Sequence, residues 1–584
     1  MSKRSRFRLV LIKPSHYDDD GYVIQWFRSA IPANSLACLY GLALECRNEQ
    51  VLGPEVDLEI DAFDETNTVI HPSRIAKMIE RADDGMVMLV GVQSNQFPRA
   101  LDIARPLRDR GIKVAIGGFH VSGTSSMLKE RDPSVQKALD IGVTIFAGEA
   151  EGRLGQVLKD AFNSELPAEY NFMDDLPNIE GVATPMLPAD RVHLTAGATT
   201  SFDAGRGCPF TCSFCTIINV QGRVSRRRSP EDIERIVRVN VAQGLHSFFI
   251  TDDNFARNKD WEIILDRLIE LRQKEGLNIS FIIQVDTLCH KLPNFIDKCK
   301  LAGVKRVFIG LENINPDNLL GAKKRQNKIT DYRAMLLEWR RVGIVTYCGY
   351  ILGFPGDTPE AILHDIEVIK NELPVDLLEF FYLTPLPGSE DHQRLHNSNV
   401  AMDADLNRYD LCHDVTEHPK MSRDEWRDVY QKAWDTYYTD EHIERIIRRS
   451  IVSGTSPGKT TFFIMWFKGC LAIEGIHPLE GGFFRRKDRR NRRSGMPLEN
   501  PLIFYPKYAF ETLMKQGRWI WLYLRLRIIY KRAARDPKRF EYTDLALEPV
   551  SDHEEEREMF QTVAAKSYLE KVHRNQRLTR GEVI

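Results

Sequence analysis

The stretch GRGCPFTCSFCTI, Gly205 to Ile217, places three cysteines within eight positions of a 584-residue chain that has only ten. The others are scattered, which is not how a disulfide framework is spaced, and a reducing compartment would keep them as thiols. The cluster therefore calls for a metal. Structural zinc needs a fourth soft ligand, yet no further cysteine or histidine follows closely, and Cys289 and Cys299 are too far apart to make a second knuckle. Three thiolates at C-x3-C-x2-C spacing, Cys208, Cys212 and Cys215, can instead hold three irons of a [4Fe-4S] cube and leave the fourth open.

With Phe214 just before the last cysteine, this motif resembles the C-x3-C-x-aromatic-C signature of radical S-adenosylmethionine (SAM) enzymes. In that family the open iron chelates the amino and carboxylate groups of SAM, and electron transfer from the cluster yields a 5′-deoxyadenosyl radical. Downstream segments extend the resemblance. HSFFITDDNFARN ends an apolar run on Asp252, Asp253 and Asn254, where the family has polar groups facing the SAM amine. SFIIQVDTL carries Gln284 and Asp286; VKRVFIGLEN ends on Gly310 and Glu312, like the family's Gly-x-Glu strand beside SAM. VTYCGYILGFPGDT closes on Gly353, Gly356 and Asp357, like its glycine-rich turn on the adenine side.

Between these strands lie helical patterns such as SPEDIERIVRVNVAQG, where Ser229 can cap, Pro230 takes the first position and Gly244 stops the helix. Strand and helix alternate, and the polar residues fall at the C-terminal ends of strands, where α/β barrels place their chemistry. The expected architecture is α/β: a partial (β/α)6 barrel over about residues 195–400, preceded by a doubly wound domain over 1–165 and a linker over 166–194, and followed by a mainly helical region over 401–584.

The N-terminal domain repeats a strand and helix rhythm from FRLVLIK to VTIFAGEAEGRLGQVLKDA, the pattern of an open parallel sheet that binds a ligand at its strand ends. Gly117, Gly118 and His120 follow one buried strand, and Gly148 and Glu149 another. Together with VGVQSNQFPRALDIARPLRDRG, these segments resemble the cobalamin-binding domain of B12-binding radical SAM proteins, which implies that the glycine loops face the corrin. The Asp-x-His-x-x-Gly motif of many cobalamin domains is incomplete in KPSHYDDDG, so His16 is not expected to ligate cobalt. Cys38 and Cys46 sit at helical spacing in an apolar run and read as core thiols, not as a second cluster.

A formal net charge of -2 gives no general basic field, and no nucleic-acid module is recognisable, so nucleic acid is not an expected partner. The N-terminus does not read as a signal peptide, which makes the cytoplasm the expected location. TTFFIMWFKGCLAIEGI is too short and too charged to span a membrane. In RWIWLYLRLRIIYKRAAR, Trp519, Leu522, Leu526 and Ile529 form an apolar stripe beside Arg518, Arg525 and Arg532. That stripe either lies on an anionic inner-membrane surface or packs against the barrel with its arginines in water.

The resemblance implies a methyltransferase that acts on an unactivated carbon of a small-molecule or lipid substrate and uses a [4Fe-4S] cluster, SAM and cobalamin. It also implies an electron donor such as flavodoxin or ferredoxin. Radical cyclisation or rearrangement with the same cofactors is the enzymatic alternative, and a non-catalytic cobalamin sensor the alternative of another class. No residue is nominated for contact with substrate; Tyr350 and Tyr382 read as buried packing.

Overall fold

A computed structural model describes residues 5–579. Strand β1 (Ser5–Lys13) sends Phe7, Leu9 and Leu11 into one hydrophobic core and Val10 and Ile12 into another. A strand covered on both faces must be apolar on both, hence the unbroken run. After the short β2 (Gln25–Ser29) come β3 (Val56–Asp64), β4 (Asp84–Leu89), β5 (Lys113–Gly117), β6 (Thr144–Ala147) and β7 (Glu169–Asn171). They form a six-stranded parallel sheet in the order β3-β1-β4-β5-β6-β7. Helices Asn34–Asn48 and Leu154–Phe162 supply Leu36, Leu42 and Leu158 to one face. Helices Pro72–Glu80 and Phe97–Arg108 supply Ile75, Ile79 and Ile103 to the other.

The second sheet begins at β8 (Thr199–Phe202), leaves it through a two-residue antiparallel pair, β9 (Gly205–Arg206) and β10 (Arg226–Arg227), and continues with β11 (Ser247–Ile250), β12 (Ser280–Val285), β13 (Val304–Glu312), β14 (Val345–Leu352) and β15 (Leu377–Tyr382). All six main strands are parallel and lie in sequence order, with β8 and β15 as unjoined edges. This is the open (β/α)6 arrangement. Helix Pro230–Ala242 starts in a capping box in which Ser229 accepts from the Asp232 amide and Asp232 accepts from the Ser229 amide.

Two stretches depart from the expected division. The segment read as a linker contributes β7 to the first sheet. The C-terminal region, though mostly helical, sends β16 (Gly482–Arg486) back to pair antiparallel with β2, and Trp26 Nε1 donates to the Glu480 carbonyl at 2.9 Å. Pairings between residues more than 450 positions apart have no local signature.

Helix Pro501–Arg535 carries apolar residues on both its inner and its outer face, interleaved with charged ones. The stripe read from sequence packs inward: Leu522, Leu526 and Ile529 are buried, and Trp519 Nε1 donates to Glu474 at 2.9 Å. Arg525 and Arg532 are not free in water but pair with Asp440 and Glu444. The opposite face carries Leu513 (72% exposed), Ile520 (60%), Trp521 (59%) and Ile528 (67%). No helix among the described residues is long and apolar enough to cross a membrane.

Candidate functional site

The loop after β9 carries the three cysteines, and short backbone bonds fix it. The Cys208 amide donates to the Gly222 carbonyl at 3.2 Å and the Cys215 amide to the Cys212 carbonyl at 3.2 Å; the Ser213 amide reaches the Ala322 carbonyl at 3.0 Å. All three thiols are free and close enough to perturb one another. Burial first, and then neighbouring thiol and carboxylate charge, push Cys208 up to about 11 and Cys215 up to about 12. Three converging thiols are a donor set that a cation would complete, and three soft ligands suit iron. Phe214 packs with Ile351, Phe354 and Phe381 beside them.

Across from the cysteines, β13 breaks register with β14 between Ile309 and Glu312, and Glu312 takes a left-handed φ of 64°. A non-glycine residue in that region costs of order 1 kcal/mol or more and persists only where its surroundings impose it. Here Asn327 Nδ2 donates to both the Gly310 and Leu311 carbonyls at 2.8 Å, and Lys324 forms a buried ion pair with Glu312. A Cβ on Gly310 would meet that Glu312 carboxylate at 2.5 Å. Lys324 also lies 5.6 Å from the Phe214 ring centre, and Gln326 Nε2 donates to the Cys212 sulfur at 3.3 Å. Lys324, Gln326 and Asn327 escaped the sequence reading; their only signal was a polar run, KKRQNK, soon after the Gly-x-Glu strand.

Asp253 joins this group, its carboxyl influencing both Cys208 and Cys215, and burial raises it to about 7. Its neighbour does not. Asp252 accepts from the Ala204 amide at 2.6 Å, the Gly205 amide at 2.8 Å and Asn258 Nδ2 at 3.3 Å, so it anchors the approach to the cysteine loop instead of facing a ligand. Asp286 is likewise occupied: it accepts from Asn254 Nδ2 at 2.9 Å, from Arg257 and from the Leu288 amide, which also ties down Asn254. Gln284 reaches only the Asp252 carbonyl, at 3.4 Å. Gly353 and Gly356 make room for protein: a Cβ would strike the Trp426 ring at 2.1 Å and the Asn318 side-chain oxygen at 2.8 Å. Asp357 accepts from the Gly353 and Phe354 amides at 2.9 Å each, closing the turn.

A cavity of about 170 Å3 opens at the strand ends of the first sheet, lined by Gly117, Gly118, Gly148, Glu149 and Cys38 and, from β9 and the loop after it, by Arg206 and Gln221. At that size it accepts one arm of a large cofactor rather than the whole. Gly118 has φ 147°, and a Cβ there would lie 2.1 Å from the Val92 amide nitrogen, so no other residue fits this wall. His120 is not part of the wall. It is fully buried, bonded through Nδ1 to Ser94 Oγ (3.1 Å) and through Nε2 to Ser134 Oγ (2.7 Å), and burial lowers it to about 4. His16 also lies outside this cavity. Tyr350 donates to Asp365 at 2.9 Å and Tyr382 stacks on Tyr430, both buried.

Arg206, two positions before Cys208, joins the two sheets. Its guanidinium donates to Asp203 at 2.6 Å, Glu149 at 2.7 Å and Glu151 at 2.6 Å, and Arg226 also pairs with Glu149. Glu149, read from sequence as a cofactor residue, is thus both cavity lining and half of a latch.

Residues 204–369 match the family described as the Radical SAM superfamily. Over 382 residues the chain is 25% identical to bacteriochlorophyllide d C-8(2)-methyltransferase of Chlorobaculum tepidum, covering 62% of this chain and 80% of that protein. Over 291 residues it is 24% identical to hopanoid C-2 methylase of Rhodopseudomonas palustris, covering 49% and 53%. The fold is shared with the radical S-adenosylmethionine methyltransferase TsrM of Kitasatospora setae, solved with tryptophan and a SAM analogue (TM-score 0.55, 15% identity, 74% of this chain and 89% of that chain). It is shared also with OxsB, a cobalamin-dependent SAM radical enzyme solved with aqua-cobalamin and SAM (TM-score 0.52, 13% identity, 96% and 83%).

Proposed function

We propose that this chain, which carries a radical SAM domain, is a cobalamin-binding enzyme that methylates an unactivated carbon of a small-molecule or lipid substrate. The observation that carries the reading is the junction at Arg206. One side chain links the loop bearing Cys208, Cys212 and Cys215 to the glycine-walled cavity of the first sheet, which sets the cysteine donor set and that cavity side by side.

Cys208, Cys212 and Cys215 would hold a [4Fe-4S] cluster, with Gln326 as a hydrogen-bond donor to the Cys212 sulfur. SAM would lie between the cysteine loop and the bulge at Gly310 and Glu312, where Asp253 and the Glu312–Lys324 pair offer charge to its amino and carboxylate groups. Gly117, Gly118, Gly148 and Glu149 would take one arm of cobalamin. When bound, the cluster and SAM supply a hydrogen-abstracting radical and cobalamin supplies a methyl group. The protein's part is to position these groups and keep water out, and the apolar shell of Phe214, Ile351, Phe354 and Phe381 serves that end. An electron donor such as flavodoxin or ferredoxin would reduce the cluster. The exposed face of helix Pro501–Arg535, flanked by Lys507, Arg527, Lys531 and Arg535, would give peripheral contact with an anionic membrane surface, in keeping with a lipid substrate.

The test is anaerobic reconstitution with iron, sulfide and hydroxocobalamin, addition of SAM and dithionite, and mass spectrometry for 5′-deoxyadenosine and S-adenosylhomocysteine. Both products are expected; deoxyadenosine alone in the presence of a turned-over substrate would move the reading to rearrangement. Neither product, with cluster and cobalamin occupancy verified, would overturn it.

A further inference from the structure

The KPSHYDDDG segment after β1 carries a histidine with no place in the sites above. His16 is 3% exposed, and its Nε2 has no well-directed hydrogen bond; it stands 3.3 Å from a carboxylate oxygen of Glu480. Asp410, from the loop beyond β15, completes a trio whose ligand atoms all lie within 4.8 Å of one another. We propose that His16, Asp410 and Glu480 form a binding site for a divalent cation.

Ligands about 2.1 Å from one ion stand at most about 4.2 Å apart, so a side-chain shift of less than about 1 Å closes the set. The surroundings hold these groups in place, with His413 Nδ1 2.9 Å from both Asp410 oxygens. Glu480 accepts from Asn95 Nδ2 through its other oxygen, at 3.1 Å, and Asp410 accepts from His413 Nδ1 at 2.9 Å and from the Cys412 amide at 2.9 Å. Carboxylate ligands oriented by such outer partners are the usual build of a metal site. Arg485, Lys515 and Lys487 pair with Asp18 (2.9 Å), Glu474 (2.9 Å) and Asp20 (3.2 Å), so of the nearby basic groups His413, on Asp410, is the one an ion would have to displace.

One imidazole and two carboxylates suit Zn2+ or Mn2+ rather than a thiophilic ion. Three protein ligands leave a position open, and Asp410 and Glu480 border a cavity of about 260 Å3. His477 lines that cavity and packs 4.7 Å from Phe381, whose ring belongs to the same apolar cluster as Phe214. The cation therefore sits close behind the wall of the cysteine chamber and joins the first sheet, the end of the second and the C-terminal region.

Reconstituted protein would be titrated with Mn2+ alone, free ion being read from its EPR signal, and separately equilibrated with Zn2+ and assayed by elemental analysis. One equivalent of at least one ion is expected. His16→Gln and Glu480→Gln should each weaken it at least tenfold, while Cys212→Ala retains it. Circular dichroism and cluster absorbance would confirm that the His16 and Glu480 variants are folded. Uptake of neither ion, equal uptake by folded His16 and Glu480 variants, or loss in Cys212→Ala would overturn the proposal; the last would place the ion at the cysteines.

Discussion

Two buried groups beside the first sheet and two beside the second are satisfied in different ways. In the first, Glu65 and His120 are both fully partnered. Glu65, fully buried, receives Arg99 at 2.6 Å, and His120 has a serine hydroxyl on each ring nitrogen. In the second, Asp376 has Arg340 at 2.6 Å and Glu312 has Lys324, but two other buried carboxyls have no cation. Glu379 on β15 is fully buried with neither oxygen bonded, and burial first, then the charge of Glu312, raises it to about 8. Asp365 is raised by burial to about 7 even with the Tyr350 hydroxyl donating to it. Buried carboxyls without a cation are costly, and such groups cluster where chemistry needs them.

The largest expected effect falls on the cysteines. Cys212→Ala should abolish deoxyadenosine formation and cluster absorbance, while cobalamin binding, measured from its visible spectrum, persists; loss of both would mean that the two sheets do not function as separable sites. Next comes the latch. Arg206→Met leaves Asp203, Glu149 and Glu151 buried without their shared partner and should lower stability by about 3–5 kcal/mol in denaturant unfolding. A fall below about 1 kcal/mol would show that the sheets are not coupled there.

Glu379 sharpens the contrast through pH. Its folded pKa lies above its unfolded value near 4.5, so the folded state binds the extra proton between about pH 4.5 and 8, and stability falls as pH rises through that window. Glu379→Gln should raise stability at pH 8 by about 3–4 kcal/mol more than at pH 5. An unchanged slope would mean that the carboxyl finds a partner in solution. The smallest effect on folding is expected from Leu513→Glu on the outer face of the long helix, within about 0.5 kcal/mol. The same change should reduce flotation with vesicles containing anionic lipid, and undiminished flotation would remove this face from membrane contact.

The cysteine triplet, the strand and helix alternation and the polar strand ends were legible because each depends on neighbours in sequence. Spacing sets which thiols share a loop, and period decides which residues can be buried on one side or both. The roles of individual strand-end residues were less legible: Asp252 and Asp253 are adjacent, yet one anchors backbone amides and the other joins the cysteines. Both lie in the loop after β11, where side-chain direction follows no period, so only the packed structure shows which one reaches the chamber. Helix Pro501–Arg535 likewise read as apolar on one stripe, whereas its outer face is apolar too.

By itself, then, the sequence determined a radical SAM-like cluster loop within an α/β chain, because those signals are local. Only the tertiary structure decided that Arg206 latches the two sheets, that Lys324 meets Glu312, and that His16 meets Asp410 and Glu480. Those contacts join residues between 12 and several hundred positions apart, and long-range pairing follows from how whole elements pack, which no window of sequence records.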